Sequence, residues 1–179
     1  MSEIPRWMEH KFTFDFPVEL YPNILIRLRG TPARLEQLTH GLKREALVSK
    51  PDGKWSIQEN AGHLLDLEAL WLARVREFLA GAQVLSAADV SNAKTHQAHH
   101  NDRVLSDIVI AFRSAREILV GRLDVLGRDD FLRVAHHPRL NVPMRLVDHV
   151  YFIAEHDDHH LARMWEIQRA QQVIARVAM

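Results

Sequence analysis

Apolar residues return at helical spacing four times along this chain, each time for about seven turns. Leu25, Leu28, Leu35, Leu38 and Leu42 share one stripe of a first helix expected from about Pro22 to Leu47. Within it, Gly30-Thr31-Pro32 reads as a cap followed by a first-turn proline, so a kink or restart is expected there. Ser56 followed by Glu59 is a capping box and opens a second helix, which runs to about Ala80 and stops at Gly81. A third helix spans about Asp102 to Leu126, with Leu105, Ile108, Phe112, Leu119 and Leu123 inward. A fourth spans about Val142 to Arg169, with Leu146, Val150, Ile153, Met164 and Ile167 inward. Residues 1–20 read as an extended segment whose Phe12, Phe14 and Phe16 lie against the helices. Burying four such stripes at once makes an all-α four-helix bundle over a single domain, residues 1–179.

The connections set the topology. Residues 81–101 form a link of about 20 residues, long enough at ~3.3 Å each to reach about 60 Å. The second helix is only about 37 Å long at 1.5 Å per residue. The link can therefore return along the whole bundle, placing helices two and three parallel and giving an up-down-down-up order with a long crossover. A second loop is expected over residues 127–141, with His136 and His137 at the far end from any histidine cluster.

Composition narrows the chemistry. The chain has 12 His and no Cys, which removes disulfides, thiolate metal sites and cysteine nucleophiles and leaves imidazole as the carrier of any metal or neutral-pH chemistry. Lys plus Arg and Asp plus Glu each number 23, so there is no basic excess of the kind nucleic-acid binding needs. No apolar run approaches the ~18 residues of a membrane span, and the charged start MSEIPRWMEHK is not a signal peptide; a cytoplasmic protein is expected.

His156 and His160 are four apart, so they differ by about 40° on the helix and stand one turn apart on or beside its inward stripe. That is the spacing with which one helix grips one metal ion. His63 lies on the inward face of the second helix, about two turns from its start. If helices two and four are antiparallel, it meets the pair at the same level. Three imidazoles leave coordination positions open for water or substrate, unlike a closed structural site. Glu59, one turn before His63, is a fourth-ligand or base candidate besides its capping role, and Asp66 and Asp157 are further candidates for a catalytic base. His149 reads as a core or network histidine; His96, His99 and His100 read as surface-loop residues near the mouth of the site. The run His156-Asp157-x-x-His160 mimics the zincin H-E-x-x-H, but Asp is shorter than Glu, no downstream third ligand follows, and no strand presents itself to align a peptide.

These residues carry a family resemblance. The pattern W-S-x-x-E-x-x-x-H-L-x-D, here Trp55, Ser56, Glu59, His63, Leu64 and Asp66, is followed about ninety residues on by H-D-x-H-H. Together they resemble the DinB/YfiT-like superfamily over about Tyr21 to Arg169. The resemblance implies an up-down-down-up four-helix bundle with a divalent metal on a histidine triad, whose positions fall on His63, His156 and His160. It also implies one of several activities, since members include S-transferases that use bacillithiol, mycothiol or glutathione, a mycothiol-dependent maleylpyruvate isomerase, and proteins described as metal-dependent hydrolases. The expectation is therefore a metal-dependent S-transferase acting on a small molecule with a low-molecular-weight thiol, the thiol supplying the sulfur this Cys-free chain lacks. A metal-dependent hydrolase and a non-catalytic metal-binding stress protein are the alternatives. Zinc is the expected metal and nickel the next, because imidazole suits both. A homodimer is expected.

Overall fold

In the computed structural model, which describes residues 4–177, the capping box forms as its sequence predicts. Ser56 Oγ accepts the Glu59 N–H at 3.0 Å, and Glu59 Oε2 accepts the Ser56 N–H at 2.9 Å. Residues 1–3 and 178–179 of the expected domain lie outside the described residues. The elements are α1 (Tyr21–Thr39), α2 (Arg44–Val48), α3 (Ile57–Leu79), α4 (Ala93–Gln97), α5 (Leu105–Asp124), α6 (Arg128–Phe131), β1 (Val134–His137), β2 (Val142–Arg145) and α7 (Leu146–Val177). The four long helices α1, α3, α5 and α7 are the expected bundle. No helix among the described residues is long and apolar enough to cross a membrane.

Side-chain pairs fix the directions of these helices. Arg29 meets Asp124 and Glu36 meets Arg113, so α1 and α5 run antiparallel. Gln58 meets the Arg103 carbonyl and Glu68 meets Arg116, so α3 and α5 run parallel. Asn60 meets His160 and Trp71 meets His149, so α3 and α7 run antiparallel. The order is up-down-down-up. The crossover descends along α3 from its end to its start: Ser86 bonds Glu77, Thr95 bonds Asp66, and Asn101 bonds Ser56. Of the N-terminal segment, Trp7–Glu9 and Val18–Leu20 form short 3-10 turns. Between them Phe12, Phe14 and Phe16 alternate with exposed residues and lie half-buried against Phe152 and Tyr151.

The core is two apolar clusters, one around Leu28, Trp71, Leu119 and Ile153, the other around Leu35, Leu64, Phe112 and Met164. Between them lies a buried polar layer with one residue from each long helix. Arg116 of α5 pairs with Glu68 of α3 at 2.6 Å and with Asp157 of α7 at 2.5 Å, and Thr31 of α1 donates to Asp157 at 2.7 Å. Burial raises the Glu68 pKa, with Arg116 pulling the other way.

Several expectations need correction. α1 does not break at Gly30-Thr31-Pro32. Pro32 sits inside the helix, and the Thr31 hydroxyl reaches back to the Arg27 carbonyl as well as across to Asp157. The helix instead ends at Thr39, before Gly41 at a φ of +73°, so α2 is a separate turn. Residues 127–141 are not a plain loop. They hold α6 and the first strand of an antiparallel hairpin, with Val134 opposite Arg145 and His137 opposite Val142. That hairpin lies at the expected far end, beyond the end of α3, but buries His137 against Arg74 and Phe152, and it delays the start of α7 to Leu146.

Candidate metal centre

His63 of α3 and His156 and His160 of α7 converge, each offering a ring nitrogen within 4.8 Å of the other two. All three are buried. The inward stripes place them there: antiparallel α3 and α7 bring the second turn of one beside the middle of the other.

Neighbouring groups fix the tautomers. Thr95 donates its hydroxyl proton to Asp66 Oδ2 at 2.9 Å, so its oxygen is free to accept from His63 Nδ1, 3.0 Å away. His63 therefore carries its proton on Nδ1 and presents the Nε2 lone pair. Asn60 directs its amide N–H groups to the Ser56 and Trp55 carbonyls, which turns its Oδ1 toward His160 Nδ1 at 2.8 Å. His160 then also presents a bare Nε2. That atom lies 3.2 Å from Nε2 of His156, whose Nδ1 has no partner among the described residues. Two nitrogens bonded at 2.0–2.1 Å to a tetrahedral ion stand about 3.3 Å apart. The donor set, tautomers and spacing thus fit a divalent cation.

The site is held neutral. Burial lowers the His63 pKa to about 4, with Asp66 pulling the other way, and burial also holds His156 and His160 well below the usual imidazole value. All three are unprotonated at pH 7, as ligation requires. Burial alone would raise the Asp66 carboxyl, but the hydrogen bonds from His100 and Thr95 and the charge of Lys94 outweigh it and keep its pKa low.

The three proposed carboxylates occupy different places. Asp66 reaches the triad only through Thr95, and its Oδ2 also takes His100 Nε2 at 2.8 Å. Glu59 is engaged by Ser56 N–H and by Lys50 Nζ at 2.8 Å. Asp157, although next to His156 in sequence, faces Arg116 and Thr31. Neither Glu59 nor Asp157 joins the histidine cluster. His100 is also not a surface-loop residue. It is 1% exposed and packed over Gly62 so closely that a Cβ there would stand 2.2 Å from its ring. Asn60, Thr95 and Arg116 were not singled out by the sequence, and His100 only as a surface-loop residue near the mouth of the site. Gly62 offered a signal, since a mid-helix glycine costs about 1 kcal/mol against alanine and so marks a close approach.

The triad forms one wall of a cavity of about 440 Å³, which Trp7, Trp55, Trp71 and Phe152 line with aromatic surface. Trp55 lies 4.7 Å from the His63 ring and 6.1 Å from that of His160, stacked on the latter. A wider groove of about 940 Å³ meets His160 from another side but reaches neither His63 nor His156.

The same architecture occurs in a solved structure, YfiT from Bacillus subtilis, described as a probable metal-dependent hydrolase with an unusual four-helix bundle topology. The two share 20% identity with a TM-score of 0.81, over 92% of this chain and 94% of that one, a likeness of fold. No curated protein matches the sequence. The profile of the DinB superfamily matches residues 27–164, most of the chain including all three clustered histidines, and the chain belongs to that superfamily.

Proposed function

We propose that this protein binds a divalent metal ion, zinc before nickel, on His63, His156 and His160, and uses it for S-transfer from a low-molecular-weight thiol to a small electrophile. The observation that carries the choice of reaction is the placement of the acids. Glu59 is committed to the helix cap, Asp157 to Arg116, and Asp66 to His100 and Thr95. No carboxylate among the described residues lies in the histidine cluster to take a proton from water. A thiol asks less of its surroundings, because its ordinary pKa is already near 8.5.

Bound there, the ion supplies Lewis-acid charge that favours the thiolate over the thiol. The chain supplies the rest. Thr95 and Asn60 hold two imidazoles in the tautomer that presents Nε2, and the Asp66 carboxylate anchors Thr95. Trp55, Trp71 and Phe152 exclude water and give the second substrate an apolar surface. The new bond joins the thiol sulfur to an electrophilic carbon of that substrate; the S–H proton passes to solvent, and the carbon's bond to its leaving group breaks with its electron pair, as the C–Cl bond of monochlorobimane does in releasing chloride.

The hydrolase reading draws on the description of YfiT and shares the same centre. One experiment separates them: metal-loaded protein with monochlorobimane and a panel of small thiols, beside ester and amide substrates without thiol. Thiol-dependent conjugation that disappears in His63→Ala supports S-transfer; cleavage without thiol overturns it in favour of hydrolysis. Elemental analysis of untagged wild type, His63→Ala and His156→Ala tests the metal, and a full complement in both variants would rule the triad out.

A further inference from the structure

The cavity that ends at the histidine triad has a second polar end. Arg74 of α3 is 1% exposed, yet no carboxylate among the described residues bonds it; its Nε and Nη2 donate to the Ser86 carbonyl at 2.9 and 2.7 Å. Glu77, whose charge acts on it, has one oxygen on the Ser86 N–H and the other on the Ser86 hydroxyl. Arg139 follows β1 at the turn of the hairpin. Its guanidinium lies over the Trp7 and Phe152 rings at 5.6 and 5.4 Å, and its buried Nη2 has no hydrogen-bond partner among the described residues. The one acid lining the cavity, Asp89, is occupied by the N–H groups of Ser91 and Ala93 and the Ser91 hydroxyl. Two guanidinium groups therefore share a largely apolar cavity in which no carboxylate among the described residues bonds either of them. A buried cation without a counter-ion is costly, and proteins keep one where something else supplies the negative charge.

His137 sharpens this. The Leu140 backbone N–H points at its Nδ1 at 3.2 Å and Arg74 Nη1 stands 3.2 Å from its Nε2. A neutral imidazole has one bare nitrogen, so it cannot accept from both donors, and one N–H at this end of the cavity is left without an acceptor. An oxygen carrying negative charge would supply it. Burial, partly countered by Glu77 and reinforced by Arg139, lowers the Arg74 pKa to about 10, so it remains a cation at neutral pH. One indole separates the two ends: the Trp71 ring lies 5.7 Å from His156 and 5.5 Å from the Arg74 guanidinium carbon.

We infer that Arg74, Arg139 and His137 form an oxyanion subsite, and that the substrate is an organic acid whose apolar stem, about one aromatic ring long, lies along Trp71 and Phe152. Its charged end rests on the guanidinium groups and its reactive carbon faces the triad. The orientation rests on the proposed reaction centre; the binding of the anion does not.

The test is isothermal titration of 3-phenylpropionate and of its neutral amide into zinc-loaded and chelator-treated protein. Wild type is expected to bind the acid at least about tenfold more tightly than the amide in both forms, the scale of one charge-assisted hydrogen bond. Arg139→Gln removes most of that preference and Arg139→Lys retains part of it, with folding of both checked by circular dichroism. His156→Ala keeps it. Equal binding of acid and amide, no saturable binding of the acid, or an unchanged preference in Arg139→Gln would overturn the subsite. So would a preference lost in His156→Ala alone, which would put the anion on the metal. A protein that takes up no zinc but keeps the acid preference upholds the subsite while refuting the metal centre.

Discussion

Arg116 donates from Nη1 to the Leu28 carbonyl at 3.1 Å, the carbonyl that Pro32, four residues on and without an N–H, leaves unbonded in α1. The proline is thus not a helix boundary. It opens one acceptor in the bundle interior, and a guanidinium from the antiparallel α5 fills it. The same guanidinium gathers Glu68 and Asp157, so one side chain ties four helices at a single level. This layer sits between the two apolar clusters and fixes the axial position of α7, and with it the height at which His156 and His160 meet His63.

Removing the centre of that layer should be severe. Arg116→Ala leaves two buried carboxylates without a counter-ion and is expected to cost about 3–5 kcal/mol in urea unfolding. Asp157→Asn should also lower stability, while metal content stays at the wild-type level when the protein is folded. An Asp157→Asn protein of unchanged stability but abolished activity would contradict this and restore Asp157 as a base.

Thr95→Val keeps the shape of the side chain and removes the link between Asp66 and His63. Groups that orient a ligand imidazole typically contribute 10–100-fold to metal affinity, and a loss of about that size is expected in a chelator competition with zinc. Asp66→Asn should fall in the same range, because the amide no longer demands the Thr95 proton. Wild-type affinity in both variants would show that His63 needs no such support.

The helices and the histidine cluster were legible because they rest on local periodicity, and the crossover because the link is long enough to return along the bundle. The capping box marks the start of α3, the 3.6-residue stripe marks each inward face, and i, i+4 spacing pairs His156 with His160. The supporting residues were not, because they depend on which segments meet. Thr95 and His100 lie in a crossover without pattern, and nothing local says that it retraces α3. The hairpin was missed because each strand has only four residues, and residues 127–141 read as one loop. Asp157 was misleading for the opposite reason: it adjoins His156 in sequence, yet one residue along a helix is a rotation of about 100°, which turns it from the histidine cluster to Arg116 and Thr31.

Gly62 offers a sharper test of the site's packing. In an exposed helix, Gly→Ala stabilises by about 1 kcal/mol. Here the new Cβ would meet the His100 ring at 2.2 Å, and that ring is held by Asp66. Gly62→Ala should therefore lower the melting temperature and loosen zinc binding. In a His100→Ala background the clash is gone, and the same substitution should become neutral or stabilising. A melting temperature that rises in the wild-type background would show that His100 moves aside without cost.

Acid should weaken the metal-free protein well before its carboxylates titrate. His63, lowered to about 4, is neutral in the folded chain at pH 5 and protonated in the unfolded chain, where imidazole titrates near 6.5, and burial pushes His156 and His160 well below that ordinary value in the same direction. The unfolded state then binds more protons, so stability rises with pH across this window and is lost as pH falls from about 6.5 toward 4. Each such histidine makes folding about tenfold less favourable per pH unit. His137, His149 and His159 are depressed by burial too and add in the same direction, while Glu68, whose pKa is raised, works against them. The chelated protein should unfold at distinctly lower urea at pH 5.0 than at pH 7.5, and His149→Phe should reduce that gap. The low pKa values also predict that zinc meets little proton competition between pH 7 and about pH 5.5, whereas a site of ordinary imidazoles would already be losing affinity there. A urea midpoint independent of pH, or zinc affinity that falls steadily below pH 7, would mean that the triad is more hydrated than its burial implies.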